Sequence, residues 1–224
     1  MNLTAEGTEG KREGGEQSRS GARRKTFWQQ FAHPEGVMGW VVGHLMGFKN
    51  RERSEWLMPL LDVRPNDRVL EIGFGPGVDV LRVSRAATGV RVTGVDRSAE
   101  MVRQARSRNA AGVRAGRVEL RLGEVYPLPF ADAAFERAFA VNNVQFWADR
   151  AAALAELRRV LASGGMLAIC IQPRNPGATA ETTREWGERL RVEMGQAGFE
   201  NVRVEFHDMK PVPVVCALGY KDAR

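Results

Sequence analysis

The fold of this chain is decided by one stretch, RVLEIGFGPGV at residues 68–78. Val69, Leu70 and Ile72 predict a short buried strand, because apolar residues gather there around a single acid. The alternating glycines that follow predict a tight turn, since glycine has no Cβ. From Val78 onward, apolar residues open a helix. A strand, a turn and a helix in this order present free backbone N–H groups to a ligand.

The spacing of the glycines excludes one class of cofactor. Dinucleotides are held by the pattern Gly-x-Gly-x-x-Gly. Counted from either of the first two glycines, the third glycine of that pattern falls on Val78 or Val80. The pattern here is instead acid-x-Gly-x-Gly-x-Gly, from Glu71 to Gly77.

Composition favours one soluble globular domain, because 43% of the 224 residues are apolar. No apolar run is long enough to span a membrane and no signal peptide is visible, so we expect a cytoplasmic protein. Cys170 and Cys216 both lie in apolar runs and are expected to be buried, reduced thiols. The net charge of +6 is dispersed, which favours a solvated basic surface over a nucleic-acid-binding one.

Two segments precede the predicted core. Residues 1–25 contain almost no large apolar residues and are expected to form a disordered tail. Residues 26–62 are expected to form a helical lid on the domain, which occupies residues 26–224. Three glycines spaced by four within residues 39–47 weaken a helix. This leaves two alternatives, a helix packed closely on the core or a mobile lid that leaves room for a ligand.

Beyond the lid, strands alternate with helices, which predicts an α/β fold with a doubly wound parallel sheet. Strands are predicted at residues 69–72, 90–95, 118–122, 135–141, 166–171, 202–206 and 212–218, and helices at 78–87, 98–108, 154–161 and 186–197. The third strand is half polar, as an edge strand is. The last two strands have only a short link, and parallel neighbours need a long crossover. We therefore predict an antiparallel hairpin there.

Four segments, in this order and spacing, resemble the class I S-adenosylmethionine (SAM)-dependent methyltransferases. They lie at residues 71–77, 93–98, 122–130 and 141–147, the last followed by a matching run at 156–165. The resemblance covers about residues 60–220 and is nearest to the small-molecule branch that includes the ubiquinone/menaquinone C-methyltransferases. It implies a Rossmann-like, mostly parallel seven-stranded sheet with an antiparallel last strand.

The resemblance also implies how SAM binds near the first strand. Glu71 would accept a hydrogen bond from the ammonium of the methionine end, directly or through water. The turn formed by Gly73, Gly75 and Gly77 would let the backbone approach that end closely. The N-terminus of the following helix would favour its carboxylate.

The later segments would supply the other cofactor contacts. Asp96, with Arg97 beside it, stands where the family places the acid that binds both ribose hydroxyls; by itself such an aspartate is also typical of a helix cap. Glu124 and Val125 replace the family's Asp-Ala pair, whose acid accepts from the adenine amino group; an exposed loop acid is the alternative. Asn142 would line the methionine and methyl region. The absence of a Pro-Pro-Tyr motif after it speaks against adenine-N6 and glutamine-N5 methylation.

The implied reaction is an in-line displacement at the sulfonium methyl, for which the protein mainly supplies proximity, alignment and exclusion of water. A base is needed only where the acceptor must lose a proton, and we assign no catalytic residue. His44 is the best-placed candidate because it lies on the predicted lid, but a packing role is the alternative. His33 and His207 offer less.

The sequence therefore predicts a SAM-dependent methyltransferase that acts on a small, apolar or aromatic acceptor, as the lid aromatics and Trp147 suggest. Two alternatives stay open. One is an RNA methyltransferase, which only the charge supports, and the other is a SAM-binding regulatory module without turnover. We expect no metal site, and the acceptor atom and the oligomeric state are left open.

Overall fold

The computed structural model describes residues 51–223. The predicted tail at 1–25, the part of the predicted lid before residue 51, and His33 and His44 lie outside the described residues. The first described element is helix α1, Arg51–Leu61, which buries one face against the sheet. None of the helices in the described range has the length and apolar character needed to cross a membrane.

Strands and helices then alternate along the chain, as the sequence predicts. The strands are β1 Arg68–Ile72, β2 Arg91–Asp96, β3 Val118–Leu122, β4 Phe135–Val141, β5 Leu161–Ile171, β6 Glu200–His207 and β7 Val214–Tyr220. The helices after α1 are α2 Val78–Val83, α3 Ala99–Arg108, α4 Ala110–Arg114, α5 Arg150–Val160 and α6 Ala180–Gln196, with a 3₁₀ turn at Val144–Phe146.

One sheet holds all seven of these strands, in the order β3-β2-β1-β4-β5-β7-β6. The strands from β3 to β5 are mutually parallel, whereas β7 is antiparallel to both of its neighbours. This confirms the doubly wound sheet, the edge position of β3 and the antiparallel last strand. The strand order reverses between β1 and β4, and α/β sheets bind ligands at the carboxyl ends of the strands beside such a reversal.

Two apolar cores lie on the two faces of the sheet. Helices α5 and α6 cover one core, and α1, α2 and α3 cover the other. Successive side chains of a strand point to opposite faces, so Leu70 joins the first core and Val69 the second. Cys170 and Cys216 face each other across β5 and β7 as buried free thiols, which confirms the prediction for them.

Several element boundaries differ from the prediction. Helix α2 ends at Val83, before the predicted Ala87, because the chain tightens there: the N–H of Arg85 donates to the carbonyl of Arg82 over 3.1 Å and that of Ala86 to the carbonyl of Val83 over 3.0 Å. Helix α6 begins earlier than predicted, at a capping box formed by its first turn. Strand β5 also begins earlier, because Leu161 already pairs with β4.

Candidate functional site

The turn at residues 73–77 joins β1 to α2 at the reversal of strand order. Gly73 has a φ of +64°, and a Cβ there would lie 2.4 Å from Nδ2 of Asn143. Gly75 also has a positive φ, +52°, but a Cβ there would meet no described atom within 4 Å. The side chain of Asn143 therefore leaves no space for a side chain at Gly73. The empty space beside Gly75 leaves the backbone there accessible to a ligand.

Asn143 holds this turn from the side of β4. Its Nδ2 donates to the carbonyl of Ile72 over 2.5 Å, and its Oδ1 accepts from the indole N–H of Trp147 over 2.9 Å. Trp147 is buried in the first core, so its indole does not support the predicted apolar or aromatic acceptor. Phe146, which follows β4 at this edge, has an exposed ring whose centroid lies 6.0 Å from the guanidinium carbon of Arg97.

Asp96 ends β2 directly beside the turn. Its carboxylate accepts from the backbone N–H of Gly75 over 2.8 Å and from that of Ser98 over 2.9 Å. The cap of α3 is Ser98, whose hydroxyl accepts from Met101, so Asp96 does not cap this helix. Each carboxylate oxygen has two acceptor sites, which leaves capacity for two further donors. Burial raises the pKa of Asp96, so additional donors would favour its charged form.

A cluster of buried charged side chains lies at the carboxyl end of β1, on the face covered by α1 and α2. Glu71 is 2% exposed, and its Oε2 has no hydrogen-bond partner among the described residues. Burial, with the nearby charges of Asp79 and Asp96, raises the pKa of Glu71 well above its usual range. Buried atoms without a described partner also occur on Asp79 of α2 and on Arg53 of α1. Since most buried polar atoms in proteins are paired, this cluster fits a site that a polar ligand completes.

The structure places the other predicted contacts in different surroundings. Glu124 is exposed, but its charge raises the pKa of Asp96, so the two acids lie near one another. Val125 is buried in the first core. Asn142 has a φ of 53°, and its Oδ1 accepts from the backbone N–H of Gln172 over 2.7 Å. Asn142 therefore joins the ends of β4 and β5 through this bond.

Three residues of the site were missed by the sequence reasoning. Asn143 lies in the matching segment at residues 141–147, for which the resemblance implies a cofactor contact at Asn142 alone. Asp79 offered a signal, because it interrupts the apolar opening of α2 in its first turn. Arg53 offered none, since it stands in a stretch of charged residues that predicts only a solvated helix end.

Comparisons with known proteins show the family to which the chain belongs. A family model described as a methyltransferase domain matches residues 69–165. The chain is 30% identical over 183 residues to the uncharacterized methyltransferase YdaC of Bacillus subtilis, and the match covers 82% of this chain and 99% of YdaC. It is 37% identical over 109 residues to the ubiquinone/menaquinone biosynthesis C-methyltransferase UbiE of Geotalea daltonii, covering 47% of this chain and 45% of UbiE.

The fold also resembles that of a solved SAM-dependent methyltransferase from Aquifex aeolicus. The TM-score is 0.61 at 21% identity, and the superposition covers 75% of this chain and 89% of that one. At this identity the likeness concerns the fold alone.

Proposed function

Because the chain belongs to the family of SAM-dependent methyltransferases, we propose that it transfers the methyl group of SAM to a small, apolar or aromatic molecule. The observation that carries this proposal is the pairing of an open backbone at Gly75 with the carboxylate of Asp96, 2.8 Å from the same glycine. No side chain covers the backbone at Gly75, and the carboxylate of Asp96 can accept two further hydrogen bonds.

The described residues fit SAM in three respects. The turn at Gly75 leaves room for a ligand to lie against the backbone. Asp96 can accept from two vicinal hydroxyls, as a ribose presents them. The buried Oε2 of Glu71 offers an acceptor without a described partner, which suits an ammonium group.

When bound, SAM supplies a sulfonium methyl group that is already activated for displacement. The residues of the chain then have to position the cofactor and exclude water, and these two effects can supply a large part of the reduction in the activation barrier. Asn143 fixes the turn through the carbonyl of Ile72, and Asp96 fixes it through Gly75. Proton transfer has no assigned residue. His207 stacks on Trp56 at a centroid distance of 5.5 Å, as a packing residue does.

The choice of a small apolar or aromatic acceptor is supported by two observations. The exposed ring of Phe146 follows β4, beside the guanidinium of Arg97. The name of the relative UbiE places it in quinone biosynthesis.

The surface charge gives little support to an RNA acceptor. Several arginines of the described surface are paired with acids, for example at Arg103–Glu100, Arg121–Glu119, Arg150–Glu193, Arg184–Glu181 and Arg191–Glu188. Such local pairs divide the basic charge instead of gathering it into one patch, which a nucleic-acid-binding surface needs.

Calorimetric titration and a turnover assay test the proposal together. SAM and S-adenosylhomocysteine should bind the purified chain, and NAD should not. With labelled SAM, a panel of small phenols and quinols should yield methylated product, and RNA should not. Methylated RNA would replace the proposed acceptor class, and binding without turnover on any acceptor would favour a regulatory module. Tight NAD binding without SAM binding would sink the proposal.

A further inference from the structure

The strongest unexplained feature outside the predicted contacts is Arg53 on α1. Its side chain is 3% exposed, yet Nε and Nη1 have no hydrogen-bond partner within the described range. Its positive charge acts on Glu71 and favours the ionised carboxylate. The Oε2 of Glu71 is nevertheless unpartnered too. A buried cation and a buried acid thus lie near each other, and each has polar atoms without a hydrogen-bond partner among the described residues. In the absence of a ligand, such atoms lower the free energy of unfolding.

The neighbourhood of Arg53 adds more positive charge. Arg174, in the segment after β5, has a pKa that is lowered by burial and by the charge of Arg53. Two guanidinium groups that act on each other in this way are stabilised when an anion lies near both of them. The side chains therefore favour an anionic ligand group close to Arg53.

The N-terminus of α2, which the sequence predicts for the cofactor's carboxylate, is already occupied by acids. Asp79 is buried in the first turn of this six-residue helix. The backbone N–H of Val80 forms a hydrogen bond that favours the charged form of Glu71. A further carboxylate at this end would meet the charge of Asp79, which already raises the pKa of Glu71. The carboxylate of SAM therefore needs a cationic partner elsewhere.

We propose that Arg53 binds the carboxylate of the amino-acid end of SAM, while Glu71 faces the ammonium of the same group. An amino acid carries both charges on one carbon, so its site needs an acid and a base that face each other across a gap. The planar guanidinium fork suits a carboxylate and can bind it through two hydrogen bonds. This inference rests on the proposed SAM site, and it assigns to α1 a part in cofactor binding.

Three ligands and three variants test it by calorimetry. The ligands are S-adenosylhomocysteine, its decarboxylated amine, and 5′-methylthioadenosine, which has neither charge. Arg53→Met should weaken S-adenosylhomocysteine at least about tenfold, equivalent to about 1.4 kcal/mol, and leave the other two ligands unchanged. Arg53→Lys should recover part of the loss, because it keeps the charge without the fork. The control is Arg51→Met on the same helix, where the exposed arginine pairs with Glu55 over 2.7 Å.

Thermal unfolding of the same variants shows whether the fold is intact. Arg53→Met should melt at or above the wild-type temperature, because it removes a buried charge without described partners. Unchanged affinity of Arg53→Met for S-adenosylhomocysteine would overturn the inference and leave the proposed function standing. Equal weakening of all three ligands would overturn it as well, since the effect would then be structural. Failure of the wild-type protein to bind any of the three ligands would overturn the proposed function itself.

Discussion

Two buried arginines flank β1, and they differ in what surrounds their charge. Arg137, near the amino end, donates from Nε to the carbonyl of Leu61 over 3.1 Å and from Nη2 to that of Asp62 over 3.2 Å. It also lies 3.8 Å from the carboxylate of Asp67. Arg53, near the carboxyl end, is buried at least as deeply but leaves Nε and Nη1 without a described partner.

The difference shows that burial alone does not reveal what a charged residue does. A buried charge that finds its partners within the chain holds elements together, as Arg137 joins the end of α1 to β4. A buried charge without such partners lowers the free energy of unfolding, and a ligand that completes the site offsets that cost. This division between the two ends of β1 predicts that substitutions near its amino end change stability alone, whereas those near its carboxyl end also change ligand binding.

The largest effect is expected at Asp96, which has both partners within the chain and a proposed contact with the ligand. Its carboxylate pairs with two backbone N–H groups and also stands where the ribose is proposed to bind. Asp96→Ala should weaken S-adenosylhomocysteine at least about tenfold and lower the free energy of unfolding by about 1–3 kcal/mol. Asp96→Asn should lie between the alanine variant and wild type, because it keeps one acceptor oxygen.

A ligand without the ribose hydroxyls separates the two roles of Asp96. Both variants should bind a 2′,3′-dideoxy analogue of S-adenosylhomocysteine nearly as wild type does, because the hydroxyl partners are gone. If instead stability falls while affinity for the full ligand holds, Asp96 only organises the turn.

The next effect concerns Arg137 and is confined to stability. Arg137→Met should lower the free energy of unfolding by about 1–3 kcal/mol, because buried carbonyls and the Asp67 carboxylate lose a donor. Affinity for S-adenosylhomocysteine should not change. Denaturant unfolding and calorimetry of Arg137→Met beside Arg53→Met compare the same substitution at the two ends of β1. Equal losses of stability in both variants would contradict the proposed difference between Arg137 as a structural residue and Arg53 as a ligand-binding one.

The smallest effect is a change in pH dependence at Glu71. Its carboxyl ionises near pH 4.5 in the unfolded chain, and the folded state raises this pKa. The contribution of Glu71 to stability should therefore be largest below about pH 4.5 and should be lost as the pH rises through its folded pKa, because between the two pKa values only the folded state holds the proton. Glu71→Gln should flatten this decline and make the protein without ligand more stable near neutral pH.

Part of the decline should persist in Glu71→Gln, because Asp96 also has a raised pKa. Thermal unfolding at a series of pH values measures the difference between the two proteins. Superimposable pH profiles for wild type and Glu71→Gln would show that Glu71 does not titrate as its surroundings imply.

The sequence predicted the sheet because local rules determined it. The link between β6 and β7 is too short for a parallel crossover, and so the antiparallel last strand followed from length alone. Helix ends were less predictable, since α2 ends where the backbone bonds tighten after Val83, and neither proline nor glycine stands in residues 84–88 to mark that point.

The site was predictable only where its residues follow one another along the chain. The turn after β1 and Asp96 at the end of β2 stand in recognisable spacing, but the inward direction of Arg53 depends on how α1 lies on the sheet. The adjacent Asn142 and Asn143 show the same limit. Sequence could not tell which of them reaches the turn, because the positive φ of Asn142 redirects the chain between them.

The place of β7 in the sheet has a consequence for synthesis on the ribosome. β7 lies between β5 and β6, although it follows both of them in the chain. Among the described strands, β6 pairs with β7 alone, so it leaves the ribosome before its neighbour exists. Until Val214–Tyr220 has emerged, the nascent chain carries an open edge on β5 and an unpaired β6, the kind of surface that chaperones cover. Nascent chains arrested before Val214 should accordingly bind chaperones, and chains lengthened by a C-terminal linker that carries Tyr220 out of the ribosome should not.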